Sequence, residues 1–198
     1  MNRRQAIKRS SLILGYAISG PAVIGLLNGC EVDTSSDWKP AFFDQEEIQT
    51  IAEIAETILP ETDTPGAKSV LVHRFVDKMV KYTYDIGGQA TFLKGIVLFR
   101  RNVQDQYNKD FTKCTLEERH AILSAYEQKS AKFPFSVWGS PVAAFDPPPF
   151  YRQLKELILL GYFASEQIGE NELNYDPIPG KYVGCVPTKD IGKSWAFE

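Results

Sequence analysis

Apolar side chains in this chain recur every three or four residues, in step with the turn of an α-helix. No stretch of useful length alternates with the period of two that a half-buried strand requires. Ile48, Ile51, Ala52, Ala55, Ile58 and Leu59 form the first such series. It follows Asp44-Gln45-Glu46-Glu47, a capping-box pattern with Phe43 ahead of it as a staple, and it should end before Pro60. Leu71, Phe75, Val76, Met79 and Val80 make a second stripe. Gly87-Gly88 reads as a break, so a third helix is expected from Ala90 to Tyr107, with Phe92, Ile96, Phe99 and Val103 on one side. Thr115-Leu116-Glu117-Glu118 is a second capping box, opening a helix with Leu116, Ile122, Leu123 and Tyr126 as its apolar positions.

Residues 132–149 hold five prolines and several aromatics, and read as an ordered irregular segment. Pro148 and Pro149 suit a helix start, where their missing N–H costs nothing. Phe150, Leu154, Leu157, Ile158 and Gly161 then recur at helical spacing as far as Ser165. From Asn171 onward Pro, Gly and Tyr dominate, and a tail extended over the helices is expected. There is no internal repeat. The fold is mainly α: over residues 42–198, one compact helical domain of about five helices, with Pro/Gly-rich loops and an extended C-terminal tail.

The N-terminus is of another kind. Arg3, Arg4, Lys8 and Arg9 precede an apolar stretch from Leu12 to Leu27 with no acidic residue among them, the pattern of a secretory signal. At about 16 residues, and interrupted by Pro21, the stretch falls short of the roughly 20 that a spanning helix needs. Leu27-Asn28-Gly29-Cys30 resembles a bacterial lipobox, in which the cysteine is acylated and becomes the new N-terminus. Residues 1–29 are therefore expected to be an export signal and 30–41 a lipidated tether. Arg3-Arg4 with Ile7 and Lys8 resembles a twin-arginine signal, which carries folded cargo, although Ala6 stands where that pattern prefers Phe. An ordinary Sec signal containing two arginines is the other reading. The expected location is the bacterial cell envelope, on the periplasmic side or outer membrane, held by lipid.

Loss of the signal leaves an acidic body. The whole chain carries 22 basic and 25 acidic residues. Removing four cations takes the remainder to about −7, a surface that repels phosphate backbones and argues against nucleic acid. With Cys30 taken by lipid, Cys114 and Cys185 are left as a candidate disulfide in an oxidising compartment. Two free thiols are the alternative.

Reactive groups are scarce. His73 and His120 fall on expected helices, outside any cluster with metal-ligand spacing. Neither G-x-G-x-x-G, a P-loop nor a G-x-S-x-G elbow occurs, and no haem or iron–sulfur motif is present. Glu61 and Asp63 could serve as paired carboxylates, but acids in a Pro-flanked turn more often bond nearby backbone N–H groups. Such a chain is expected to work by contact rather than by catalysis.

Three stretches, in order, resemble the gluconate 2-dehydrogenase subunit 3 family. They are Ile58-Leu59-Pro60-Glu61-Thr62-Asp63-Thr64-Pro65-Gly66-Ala67; Phe150-Tyr151-Arg152-Gln153-Leu154-Lys155 through Gly161-Tyr162-Phe163-Ala164-Ser165-Glu166; and Tyr175-Asp176-Pro177-Ile178-Pro179-Gly180-Lys181-Tyr182-Val183-Gly184-Cys185. With the helix from Thr115 to Gln128, the likeness covers most of residues 42–186. The resemblance implies a non-catalytic small subunit that accompanies a large FAD-dependent dehydrogenase of the glucose–methanol–choline type, with a cytochrome c subunit carrying haem as a further partner. This chain itself is then expected to hold no cofactor and no metal. Asp63, Thr64, Pro65, Gly66, Tyr175, Pro179, Gly180 and Tyr182 are candidate partner-interface residues, with an internal brace as the competing role.

Two other functions fit the bare residues. A stand-alone envelope lipoprotein could bind carbohydrate or another surface protein through aromatics such as Trp138 and Trp195. An autonomous hydrolase would use Glu61 and Asp63.

Overall fold

The computed structural model describes residues 38–130, 136–137, 140–141 and 150–196, the last apart from 177, 179, 182 and 183. The chain divides into two units, Met1–Lys39 and Pro40–Glu198. The expected signal, Arg3, Arg4, Cys30, Trp138, Pro148, Pro149, Pro179 and Tyr182 lie outside the described residues.

The second unit is helical, as its periodicity predicts. In chain order it contains α1 (Gln45–Ile58), α2 (Val72–Thr83), α3 (Ile86–Tyr107), a 3₁₀ turn (Phe111–Lys113) and α4 (Leu116–Lys129). Then come β1 (Ser136–Val137), β2 (Ser140–Pro141), α5 (Phe150–Phe163), α6 (Glu166–Asn171) and α7 (Thr188–Ile191). Among the described residues, the five helices longer than three turns are the five expected. β1 and β2 pair antiparallel, Ser136 opposite Pro141 and Val137 opposite Ser140.

Both capping boxes form. Glu47 N donates to Asp44 Oδ1 at 2.7 Å while Asp44 N donates to Glu47 Oε2 at 3.0 Å. Glu118 N donates to Thr115 Oγ1 at 3.3 Å while Thr115 N donates to Glu118 Oε2 at 2.7 Å. Each box satisfies two backbone donors that a helix start leaves without intrahelical partners.

At Gly87-Gly88 the expectation of a break is corrected. Both glycines lie in the first turn of α3, because Asp85 caps it, accepting from Gly88 N at 2.7 Å. The cap outweighs the low helix propensity of glycine at a terminus. Gln89 then reaches back, its Nε2 donating to Val80 O at 3.1 Å and Lys81 O at 2.9 Å. Those carbonyls end α2, so the start of one helix closes the end of the other.

Helix α1 is the centre of the body. Ile51, Ile54 and Ala55 have no exposed surface, and α1 packs against α2, α3, α4 and the 3₁₀ turn. Its buried threonines turn their hydroxyls onto the helix itself, Thr50 to Glu46 O at 2.8 Å and Thr57 to Glu53 O at 2.7 Å. Around α1 an aromatic seam runs along α3. Phe92 meets Phe43, Tyr84 and Phe150, and Phe99 meets Phe111 and Tyr126. Gly95 admits this arrangement: a Cβ there would lie 2.3 Å from Phe150 Cγ. Each fully buried large side chain contributes roughly 1.5–3 kcal/mol relative to exposure.

One buried charge organises the start of the body. Asp77 on α2 is 1% exposed, and its carboxylate accepts from Ala41 N at 2.7 Å and from Phe42 N and Phe43 N at 3.0 Å. It clamps the segment that leads into α1.

Beyond Asn171 the chain is mostly exposed and closes on itself through Asn174. Asn174 N donates to Ser194 O at 2.8 Å, and Ala196 N donates to Asn174 O at 2.9 Å. The Asn174 side chain adds bonds to Ile191 O at 2.8 Å and Lys193 O at 2.6 Å.

Candidate functional site: a braced loop and the tail beside it

The loop between α1 and α2 is shaped by groups on α1. Ala67 N donates to Leu59 O at 2.9 Å, which shuts the loop at its base. Within it, the Glu56 carboxylate accepts from Glu61 N at 3.0 Å and from Lys68 N at 2.9 Å. Gly66 passes so close to this carboxylate that a Cβ would sit 2.5 Å from Glu56 Oε1 and 2.7 Å from Glu61 N. From α5, Tyr162 donates its hydroxyl to Pro65 O at 2.8 Å. The loop then passes into α2 through Leu71, which takes the left-handed conformation at φ 58°.

Electrostatics reinforce the base. Lys68 Nζ lies 2.6 Å from Glu53 Oε1, and Arg119 pairs with the other oxygen of Glu53. Arg119 also donates to Thr112 O at 2.6 Å, and its guanidinium lies 5.5 Å from the centre of the Phe111 ring. Burial pushes the Glu53 carboxyl up, but the bonds and charges of Lys68 and Arg119 outweigh it and hold the group below its ordinary value. α1, α4, the 3₁₀ turn and the loop thus share one charged knot.

The predicted residues of this loop divide between two roles. Gly66 is buried and Pro65 half-buried, and both take part in the bracing. Thr64 is half-buried and accepts at its carbonyl from Thr62 N at 3.0 Å. Glu61, Thr62 and Asp63 are exposed at the tip. A tip held this way offers its side chains to a partner with little further loss of conformational entropy on binding.

The second predicted segment starts beside the same helix end. Tyr175 is 47% exposed and lines a shallow depression with Phe163, Ser165, Glu166, Gly169 and Ala196. Phe163 stacks edge-on against Tyr162, with ring centres 5.3 Å apart. The two segments therefore flank the C-terminal end of α5, through Tyr162 on one side and Phe163 on the other. Gly180 is exposed, and a Cβ added there would meet nothing within 4 Å.

Cys114 and Cys185 are both free thiols. Cys114 is buried after the 3₁₀ turn and donates to Asp110 O at 3.5 Å, while Cys185 lies on the exposed tail. The candidate bridge is not formed in this structure, since one thiol is buried in the helical body and the other is exposed on the tail.

Of the histidines, His120 is exposed beside Leu123, Glu127, Tyr151 and Lys155. His73 is half-buried and its pKa falls to about 4, through burial first and then the charges of Arg74 and Lys68. Among the described residues, no three His, Cys, Asp or Glu side chains converge as metal ligands. No helix among those residues is long and apolar enough to cross a membrane.

Sequence reasoning missed one surface. Ile86 is 87% exposed, Leu93 37% and Val97 49%, all on α3, and Tyr82 at the end of α2 is 73% exposed. The signal was present as a second apolar series on α3, offset from the buried one that Phe92, Ile96, Phe99 and Val103 define.

A sequence model of the gluconate 2-dehydrogenase subunit 3 family matches residues 45–180, more than half of the chain. No curated protein and no solved structure gives a significant match.

Proposed function

We propose that this chain, which belongs to the gluconate 2-dehydrogenase subunit 3 family, is the non-catalytic accessory subunit of a dehydrogenase complex. In this reading it stabilises, escorts and membrane-tethers a large FAD-dependent subunit of the glucose–methanol–choline type, which oxidises a sugar or polyol. Electrons pass onward to a cytochrome c subunit. FAD and haem belong to those partners. The observation that carries the reading is the family match across the helical body.

The geometry supports a docking role. The exposed tip of the α1–α2 loop, with Glu61 and Asp63, is held by Glu56 and Tyr162, and Tyr175 presents an aromatic face from the other side of α5. Rigid, part-exposed groups of this kind suit recognition, since little entropy is lost when they dock. The N-terminal pattern supports the tethering half: a lipid on Cys30 would hold the complex at the membrane, and a twin-arginine signal would carry a folded, cofactor-loaded partner across it.

Purification of the tagged chain from its native membranes tests this directly. The expected product is a complex whose absorption spectrum has flavin bands, and haem bands if the third subunit is retained. Asp63→Lys together with Tyr175→Ala should reduce the flavoprotein recovered while leaving thermal unfolding of this subunit unchanged. Recovery of the chain free of any flavoprotein would sink the reading.

A further inference from the structure

We infer that the exposed face formed by the last turn of α2 and the outer side of α3 rests on an anionic lipid surface. At about 100° per residue, Ile86, Ala90, Leu93 and Val97 fall within about 60° of one another on α3. This stripe lies on a different side of the helix from buried Phe92, Ile96, Phe99 and Val103. A soluble helix ordinarily has one apolar stripe, facing the core. α3 has two, and the second is uncovered.

Charge points to the occupant. Residues 78–101 contain Lys78, Lys81, Lys94, Arg100 and Arg101 against the single carboxylate of Asp85, in a chain whose net charge is −3. Arg100 is engaged with Glu46 and Asp110, and Arg101 with Asp105. Lys78, Lys81 and Lys94 are exposed and form no ion pair with a described residue. An apolar stripe flanked by lysines is the pattern of a helix lying in the interface of a bilayer, with aliphatic side chains among the acyl chains and ammonium groups among the phosphates.

The path of the chain points the same way, and this step rests on the lipid-anchor reading of Cys30. Ala41, Phe42 and Phe43 are fixed to Asp77, the residue before Lys78 and one turn before Lys81. Phe43 stacks against Phe92 of α3, with ring centres 5.8 Å apart. Ala41, where this clamp begins, lies 11 residues beyond Cys30, a span of at most about 40 Å at full extension. An acylated Cys30 would hold the Pro40–Glu198 unit within that reach of the headgroups, where a weak surface contact is favoured by high effective concentration.

The test uses the mature chain from residue 31 onward, without the acylated cysteine; the unit Pro40–Glu198 has a core of its own. Flotation is measured with vesicles of phosphatidylethanolamine and phosphatidylglycerol at about three to one, and with phosphatidylcholine vesicles. Binding to the anionic vesicles alone, lost at high salt, is expected. Lys78→Glu with Lys81→Glu and Lys94→Glu should weaken it at least tenfold, and so should Leu93→Asp with Val97→Asp, each with an unchanged circular dichroism spectrum. The lysine variants alter only exposed groups, so they remain informative if the Asp pair unfolds the helix. Absence of flotation overturns the proposal, as does flotation that neither variant changes. Loss of flavoprotein recovery from membranes by the lysine variants, with flotation intact, also overturns it and assigns the face to the dehydrogenase. The mass of the Cys30 peptide from native membranes reads the anchor separately: an unmodified Cys30 with flotation intact removes the anchor and leaves the face.

Discussion

The Tyr162 hydroxyl donates a 2.8 Å hydrogen bond to the Pro65 carbonyl, 97 residues earlier in the chain. Tyr162 is otherwise a buried apolar residue, 7% exposed, and its ring packs against Phe163. One atom thus converts a helix-packing position into a support for the loop between α1 and α2.

Tyr162→Phe keeps the ring and removes that atom. The expected loss is about 0.5–1.5 kcal/mol of unfolding free energy, at the lower end because Pro65 is only half-buried. Urea denaturation measures the loss. Amide exchange in the loop should quicken by more than exchange in α1 and α5.

Gly66→Ala should cost more. The new methyl would meet the Glu56 carboxylate and the Glu61 amide at distances no real Cβ tolerates, so the brace must shift. Overpacking of this kind typically costs about 1–3 kcal/mol. Glu56→Ala in the same chain should recover part of the loss, a coupling that a double-mutant cycle detects. Gly180→Ala, where nothing is met, serves as the neutral control.

Asp77→Ala strands the amides of Ala41, Phe42 and Phe43 at the edge of the core. A loss of about 2–4 kcal/mol is expected, because unmade buried bonds cost more than made ones contribute. Asp77→Asn keeps one accepting oxygen and should lose less. Thermal unfolding ranks the two, and proteolysis near residues 38–44 should quicken in both.

His73 makes stability depend on pH. Its pKa is about 4 in the folded chain against an ordinary 6.5, so between those values the unfolded chain binds a proton that the folded chain does not. Stability is complete above pH 6.5 and declines as pH falls toward 4, by on the order of 2–3 kcal/mol in all. His73→Gln should flatten the urea midpoint over this window. Below it, Glu53, Asp110 and Glu127 have lowered pKa values, and protonating them removes stability in the wild type and the variant alike.

The helices were legible because their signals are local. The capping boxes at Asp44 and Thr115 act within three residues, and the buried stripes of α1 and α3 follow from spacing alone. Gly87-Gly88 misled because a propensity was weighed without the capping carboxylate of Asp85 beside it. Leu116 counted as apolar, yet it is 61% exposed, since the first turn of α4 faces solvent. What sequence could not give was pairing at a distance. The three amides on Asp77 lie 34 to 36 residues away, and the partner of Pro65 lies 97 away. In the candidate site, composition marked the loop and the tail, but only the fold separates supporting Gly66 from exposed Asp63.

Asn174 gives the tail a property that its exposure alone would not suggest. Four hydrogen bonds fasten residues 191–196 to this one asparagine, so the run from Tyr175 to Asp190 is a closed ring and not a free end. A protease that nicked the ring near Ile178 would leave both pieces attached, and the cut would appear on a denaturing gel before it appeared in solution. For the same reason a fluorophore or short epitope inserted at Gly180 would lengthen the ring without unseating its clasp, which gives a handle on the intact subunit.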